Sequence, residues 1–251
     1  MGEAASSFSI EYLPSCTSTN GLLLQRAAEG SPRGLTLWAE EQTQGRGRRG
    51  RRWYSAPGHS LTFSVLWHFG RHVSVEGLSL AVGLCVAETL QELGCEGVGL
   101  KWPNDVWLFG KKLGGVLIEL LFGEHGFQAV IGIGLNLRRH PAWARDVGQA
   151  YEALDSVAFS IPREVLLGML LKRLEEGLST FEREGFEAMC GRWNALNALY
   201  GLPVRLLAEN GELSGWCGNA LPSGALELRL DSGARVQVAG GDLSLRLDTS
   251  A

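Results

Sequence analysis

From Gly45 to Trp53 the chain reads GRGRRGRRW, with Arg46, Arg48, Arg49, Arg51 and Arg52 spaced by Gly47 and Gly50. Guanidinium forks grip phosphate and carboxylate oxygens two at a time, and glycines let a backbone approach whatever the forks hold. The stretch is not a P-loop, which requires Lys and then Ser or Thr after its last glycine; Arg51 and Arg52 follow Gly50. Residue types alone leave three readings open: a clamp on an anionic small molecule, a basic patch for nucleic acid, or a solvated charged turn. A net charge of -4 over 251 residues makes the cluster a local device rather than part of a basic coat.

The elements around the cluster are legible from periodicity. FSIEYL and GLTLWAEEQ alternate as strands, and between them TSTNGLLLQRAAEG reads as a helix with its Ser and Thr residues as caps and Gly30 as the stop. SLTFSVLWHF puts Leu61, Phe63, Val65 and Trp67 on one strand face, so the arginine stretch joins two core strands. Val75, Leu78, Val82, Val86 and Leu90 carry helical spacing, with Ser74 as the expected cap and Gly94 as the stop. VGLKWPND, VWLFGKKLGGVLIELL and FQAVIGIGLNL read as three runs of a strand meander. Residues 138–156 have no period and read as a long loop. Residues 163–198 hold two helices broken at Gly185, and from Gly201 short alternating strands with turns at 209–211 and 231–233 suggest a small barrel. The predicted architecture is α/β in the α+β sense: a mixed, largely antiparallel sheet carrying packed helices over 1–198, then a C-terminal β-barrel over 199–251.

Other classes are disfavoured. Five cysteines, at 16, 85, 95, 190 and 217, form no CxxC pair, and the histidines lack metal-ligand spacing, so neither a disulfide framework nor a zinc site is expected. No stretch approaches the roughly 20 apolar residues of a membrane span, and the N-terminus lacks the series of a secretion signal. The expectation is a cytoplasmic protein with no membrane partner.

Six stretches in order resemble biotin protein ligases: TSTN (17–20), EEQTQGRGRRGRRWYSAPG (40–58), KWPNDVW (101–107), KKLGGVLIE (111–119), GIGLNL (132–137) and GGDLSLR (240–246). The resemblance spans about residues 10 to 247. It implies the biotin/lipoate ligase fold, class II synthetase-like, with an SH3-like C-terminal barrel. It also implies two-step chemistry: biotin's carboxylate attacks the α-phosphate of ATP to give biotinyl-5′-AMP, and a lysine of a biotin carboxyl carrier protein, of acetyl-CoA carboxylase or a related carboxylase, takes the biotinyl group. Lys112 and Arg48 carry over as catalytic. Ser18, Thr19, Asn20, Gln42, Gly45, Arg46, Gly47, Arg48, Lys112, Gly115 and Val116 carry over to biotin; Arg46, Arg48, Arg49, Arg51, Trp53, Asn104, Asp105, Lys112 and Asn136 to ATP and the adenylate. Mg2+ is expected with the nucleotide, and no separate metal ligands are assigned. Trp53 is expected as an apolar lid, and Trp143 in 138–156 belongs to a second closing loop.

Bifunctional relatives carry a helix-turn-helix before the STN helix. Only 17 residues precede Ser18, so a ligase without specific nucleic-acid binding, monomeric or homodimeric, is expected. The alternative is a lipoate or octanoate transferase or ligase on the same fold, whose GGGxVxHD signature is absent from this sequence.

Overall fold

The structure is a computed structural model and describes residues 7–143, 150–157, 159–208, 211–239 and 243–248. The expected turn at 209–210, the first residues of the late motif at 240–242, and 144–149 of the long segment lie outside the described residues.

Seven strands form the larger sheet: β1 (Ser9–Leu13), β2 (Leu35–Ala39), β3 (Ser60–Gly70), β4 (Val98–Lys101), β5 (Asp105–Leu108), β6 (Lys111–Gly123) and β7 (Gly126–Asn136). Their order is β1-β2-β3-β7-β6-β5-β4, with β1 parallel to β2 and all other pairs antiparallel. The second apolar run of the sequence, VWLFGKKLGGVLIELL, contains two strands, because Phe109 and Gly110 both take positive φ (48° and 76°) and turn β5 into β6.

Helices cover both faces, which is why β3 is buried along almost its whole length. On one face Leu61, Phe63, Val65 and Trp67 pack into a large core with α2 (Leu78–Glu92) and α3 (Arg163–Glu184). On the other, Leu66, Leu37 and Val130 meet Leu23 and Ala27 of α1 (Thr19–Ala28). Helix α2 does not start at Ser74. Its N-cap is Gly77 in the left-handed region (φ 77°), and Val75 lies outside the helix and exposed, because the chain must pass close beneath Phe186, where a Cβ at 77 would collide. The break at Gly185 (φ 68°) separates α3 from α4 (Glu187–Ala195).

The smaller sheet comprises β8 (Pro203–Ala208), β9 (Gly211–Ala220), β10 (Leu226–Arg229), β11 (Arg235–Val238) and β12 (Ser244–Leu247), in the order β11-β10-β9-β8-β12. The expected barrel is an open sheet among the described residues: no pairing joins β11 to β12. Four of the five cysteines are buried and all are free thiols. No described helix is long and apolar enough to cross a membrane.

Candidate active site

Beyond the N-terminus of α1 the sheet surface drops into a cavity of about 410 Å³. Strand register explains the drop. Ser64, Gly132 and Leu117 lie in one cross-strand row, and Thr62, Gly134 and Gly115 in the next, all on the α1 face. In IGIGL the isoleucines and leucine face the large core while Gly132 and Gly134 floor the cavity. A Cβ at Gly132 would collide with the Asn20 amide, and one at Gly134 with the Trp53 indole. The glycines therefore let α1 and the arginine loop descend onto the sheet.

One end of the cavity is neutral and polar. Ser18 caps α1 by accepting from the Gly21 N–H (3.4 Å), and Ser18, Thr19, Asn20 and Gln42 are all buried. The Thr19 N–H donates to Gln42 Oε1 (2.8 Å), and Ser64 Oγ lies 2.7 Å from Thr19 Oγ1 and 2.6 Å from Asn20 Oδ1. A hydroxyl has one proton. Since Asn20 Oδ1 only accepts, Ser64 donates to it, and the Thr19 hydroxyl, set between Ser64 Oγ and Gln42 Oε1 (3.1 Å), shares its one proton between the two. Asn20 Nδ2 donates to Leu117 O (3.3 Å) and Glu119 Oε2 (2.9 Å). Ser64 thus fixes the strip, and sequence reasoning missed it: a serine in a core strand carries no signal until the register is known.

The other end is cationic. Lys112 and Lys101 place their ammoniums 2.6 and 3.2 Å from the two oxygens of Asp105, all three being on the cavity face of β4, β5 and β6. Burial works to raise the Asp105 carboxyl, but the Lys112 and Lys101 ammoniums outweigh it and hold it below the ordinary carboxylate value. Burial pushes the Lys101 ammonium down, with Asp105 opposing and Lys112 and Arg246 adding to the push. Arg48 Nη1 donates to Asn104 Oδ1 (3.2 Å), and Asn104 Nδ2 donates to Val116 O (2.9 Å), so Asn104 ties the loop to β6. From β12 of the smaller sheet, Ser244, Leu245 and Arg246 also line the cavity. Burial, then the guanidinium of Arg51, push Arg246 below the ordinary arginine value. The GGDLSLR match contained Arg246, but only the docking of the smaller sheet brings it to the site.

The arginine loop folds back on itself through a bridge between Arg46 and Arg52 and a hydrogen bond from Trp53 N to Gly45 O (2.9 Å). Arg49 sits at φ 59°, followed by Gly50 at φ 68°. A second segment closes the far rim. Glu152 N donates to the Lys112 carbonyl (2.8 Å), Asn136 Nδ2 to the Glu152 carbonyl (3.0 Å), and Trp143 stacks on His140 with centroids 4.8 Å apart.

Of the residues named from sequence, Ser18, Thr19, Asn20, Gln42, Arg46, Gly47, Arg48, Arg49, Arg51, Trp53, Asn104, Asp105, Lys112, Gly115, Val116 and Asn136 all line this cavity. Gly45 does not. It lines a second cavity of about 640 Å³ together with other residues of the loop, and it packs against the Trp53 carbonyl, which a Cβ there would strike. Tyr54, Gly132, Gly134, Tyr151 and Arg246 are lining residues that sequence reasoning left out. Among the described residues no group of three or more His, Cys, Asp or Glu could hold a metal ion.

Residues 12–136 match the model of the biotin/lipoate A/B protein ligase family. The chain is 37% identical to the bifunctional ligase/repressor BirA of Escherichia coli, over 95% of this chain and 74% of that one. It is 32% identical to the biotin--[acetyl-CoA-carboxylase] ligase of Paracoccus denitrificans, over 87% of this chain and 93% of that one. Its fold is similar to that of the biotin protein ligase from Aquifex aeolicus in complex with biotin and ATP, with a TM-score of 0.81 and 30% identity over 95% of this chain and 99% of that one.

Proposed function

The chain belongs to the biotin protein ligase family, and on that premise we propose how its cavity activates biotin with ATP and hands the biotinyl group to a carrier-protein lysine. The observation that carries the reading is the two-ended cavity: a buried amide and hydroxyl strip at one end and converging cations at the other.

The strip suits a ureido ring, which both donates and accepts. The Ser18 hydroxyl and Gln42 line the cavity there, while Thr19 and Asn20, committed to Ser64, form the wall that keeps them in register. The valeryl carboxylate then runs over Gly115 and Gly134 toward Lys112. In the first step a carboxylate oxygen forms a bond to the α-phosphorus of ATP and the bond to pyrophosphate breaks. In the second, the carrier's lysine amine attacks the acyl carbon, loses its proton, and AMP leaves. Both steps gather negative charge. Lys112 meets it as a fixed point charge, and Arg46, Arg48, Arg49 and Arg51 surround it with forks. Trp53, seated on Gly134, and Trp143 keep water from the mixed anhydride.

Asp105 and Asn104 support this chemistry from behind: both Asp105 oxygens are taken by ammoniums, and Asn104 bridges Arg48 to β6. The described carboxylates therefore do not fit a resident metal site, and magnesium enters as part of the nucleotide substrate. We assign residues 1–198 as the catalytic domain and 199–251 as a smaller unit of SH3-like kind that lends Arg246 to the nucleotide end. The acceptor is the carrier protein of acetyl-CoA carboxylase or a related carboxylase, and the setting is cytoplasmic.

Biotin-dependent exchange of labelled pyrophosphate into ATP tests the proposal. Exchange with biotin and none with lipoate is expected; exchange with lipoate alone would move the chain to the lipoate branch of the fold.

A further inference from the structure

We infer that Glu119 is a positioning residue that joins the root of the arginine loop to the polar strip at the start of α1, so that filling the strip and holding the loop become one event. The inference rests on the ligase reading for what fills the strip, but not for the contacts.

Glu119 stands on β6 two residues beyond Leu117, on the α1 face. Its Oε2 accepts from Asn20 Nδ2 at 2.9 Å and from Arg46 Nη2 at 3.0 Å, so one carboxylate oxygen is shared by the strip and the loop. Both partners are constrained on their far sides. Asn20, buried, has its oxygen held by Ser64, and Arg46 is bridged to Arg52 where the loop closes.

Electrostatics explain why a carboxylate is needed. Arg46 lies over the N-terminal turn of α1, where a Cβ on Gly21 would be 3.6 Å from its Nη2. That end of a helix is positive, and a cation there is repelled. The first turn of α1 contains no acidic residue, so Glu119 reaches across from the sheet to supply the missing negative charge. Without it, the strip and the loop root repel each other.

The pair is partly exposed, 46% for the Arg46 side chain and 27% for that of Glu119, so its effect is modest. A coupling of that kind changes an equilibrium by up to about fivefold. The loop contains its own reporter, because trypsin cuts after arginine. In ligand-free protein, Glu119→Gln is expected to raise the initial rate of cleavage within 46–52 by about two- to fivefold, with cleavage after Arg183 in α3 unchanged. Saturating biotin should slow loop cleavage more in the wild type than in Glu119→Gln. In pyrophosphate exchange, Glu119→Gln should raise the KM for biotin by no more than that same factor of about five, since its amide oxygen still accepts from Asn20, while Glu119→Ala should raise it further. Equal loop cleavage in wild type and Glu119→Gln would overturn the inference. So would a parallel rise after Arg183, which marks general loosening. The ligand-free arm stands whatever the substrate proves to be, so it separates failure of this inference from failure of the ligase reading.

Discussion

At the scale of single residues, Lys112 and Arg48, the two cations proposed to act in catalysis, differ in what holds them. Lys112 is on β6, its ammonium set 2.6 Å from Asp105, and its backbone carbonyl accepts from Glu152. Arg48 rides on the loop and reaches the rigid body through Asn104. Lys112→Ala should therefore depress adenylate formation itself, by the roughly 10²- to 10³-fold typical of losing one transition-state charge donor. Arg48→Gly should leave part of that step intact and let the adenylate escape, so that bystander lysines on unrelated proteins become biotinylated. Single-turnover adenylate formation, measured beside transfer to an unrelated protein, separates the two. Equal loss of the first step in both variants, with no bystander labelling, would place the loop arginine inside the chemical step. The arginine cluster was legible as a local anion-gripping device in an acidic chain, whereas Lys112 was named only through the KKLGGVLIE resemblance. Ser64 was not, since its partners Thr19 and Asn20 are more than 40 residues away.

At the scale of elements, the start of α3 is pinned to the end of β2. Arg163 Nη1 lies 2.6 and 2.7 Å from the two oxygens of Glu40, which also accept from the Gly58 N–H (2.9 Å) and the Tyr12 hydroxyl (3.2 Å). Burial works to raise the Glu40 carboxyl, but the bonds from Arg163, Gly58 and Tyr12 outweigh it and hold the group below its ordinary 4.5. A folded value below the unfolded one means that the stabilisation is complete above the unfolded value and is lost as pH falls through the folded one. The difference in urea midpoint between wild type and Glu40→Gln, which isolates this contribution, should thus stay level from about pH 7 to about pH 5 and shrink below that. Glu40→Gln should lower the midpoint at neutral pH and make the acid decline shallower. A difference that already shrinks between those two pH values, or a variant with an unchanged acid limb, would show that Glu40 is not among the groups responsible. Periodicity found β2 and α3 but not this link, because an ion pair separated by 123 residues leaves no local pattern.

At the scale of the molecule, the two sheets share one core. Val204, Leu206, Cys217, Leu226, Leu228 and Leu245 belong to the same buried cluster as α2 and β3. Polar ties cross the same boundary. Asn194 on α4 donates to Ala220 O (2.9 Å) and accepts from Ala220 N (2.7 Å), and the Trp102 indole N–H donates to Gly224 O (3.0 Å). Tryptophan fluorescence and far-UV circular dichroism should accordingly report one coincident unfolding transition. Asn194→Ala should lower its free energy by about 1–3 kcal/mol, the cost of stranding buried backbone groups, while keeping it single. Two separated transitions would show that the sheets fold independently. The shared core also accounts for Arg246 in the cavity, since the sheet that carries it cannot move far from Lys101 and Trp102.

The sequence by itself determined the kind of elements, their order along most of the chain, and, through six short motifs in order, the family. These depend on neighbours within a few positions: alternation, helical spacing, and the residues inside each motif. Tertiary structure decided what depends on register and docking. Gly132 and Gly134 became a cavity floor only because β7 lies between β3 and β6, so that their missing side chains align with Thr62, Ser64 and Gly115. Asp105 became the carboxylate between two lysines only when three strands laid one face together. Ser74, expected to cap α2, gave way to Gly77 because Phe186, more than 100 residues later, occupies the space where a Cβ would go. A local pattern constrains the conformation of its own residues; it does not say which distant atoms will fill the space beside them.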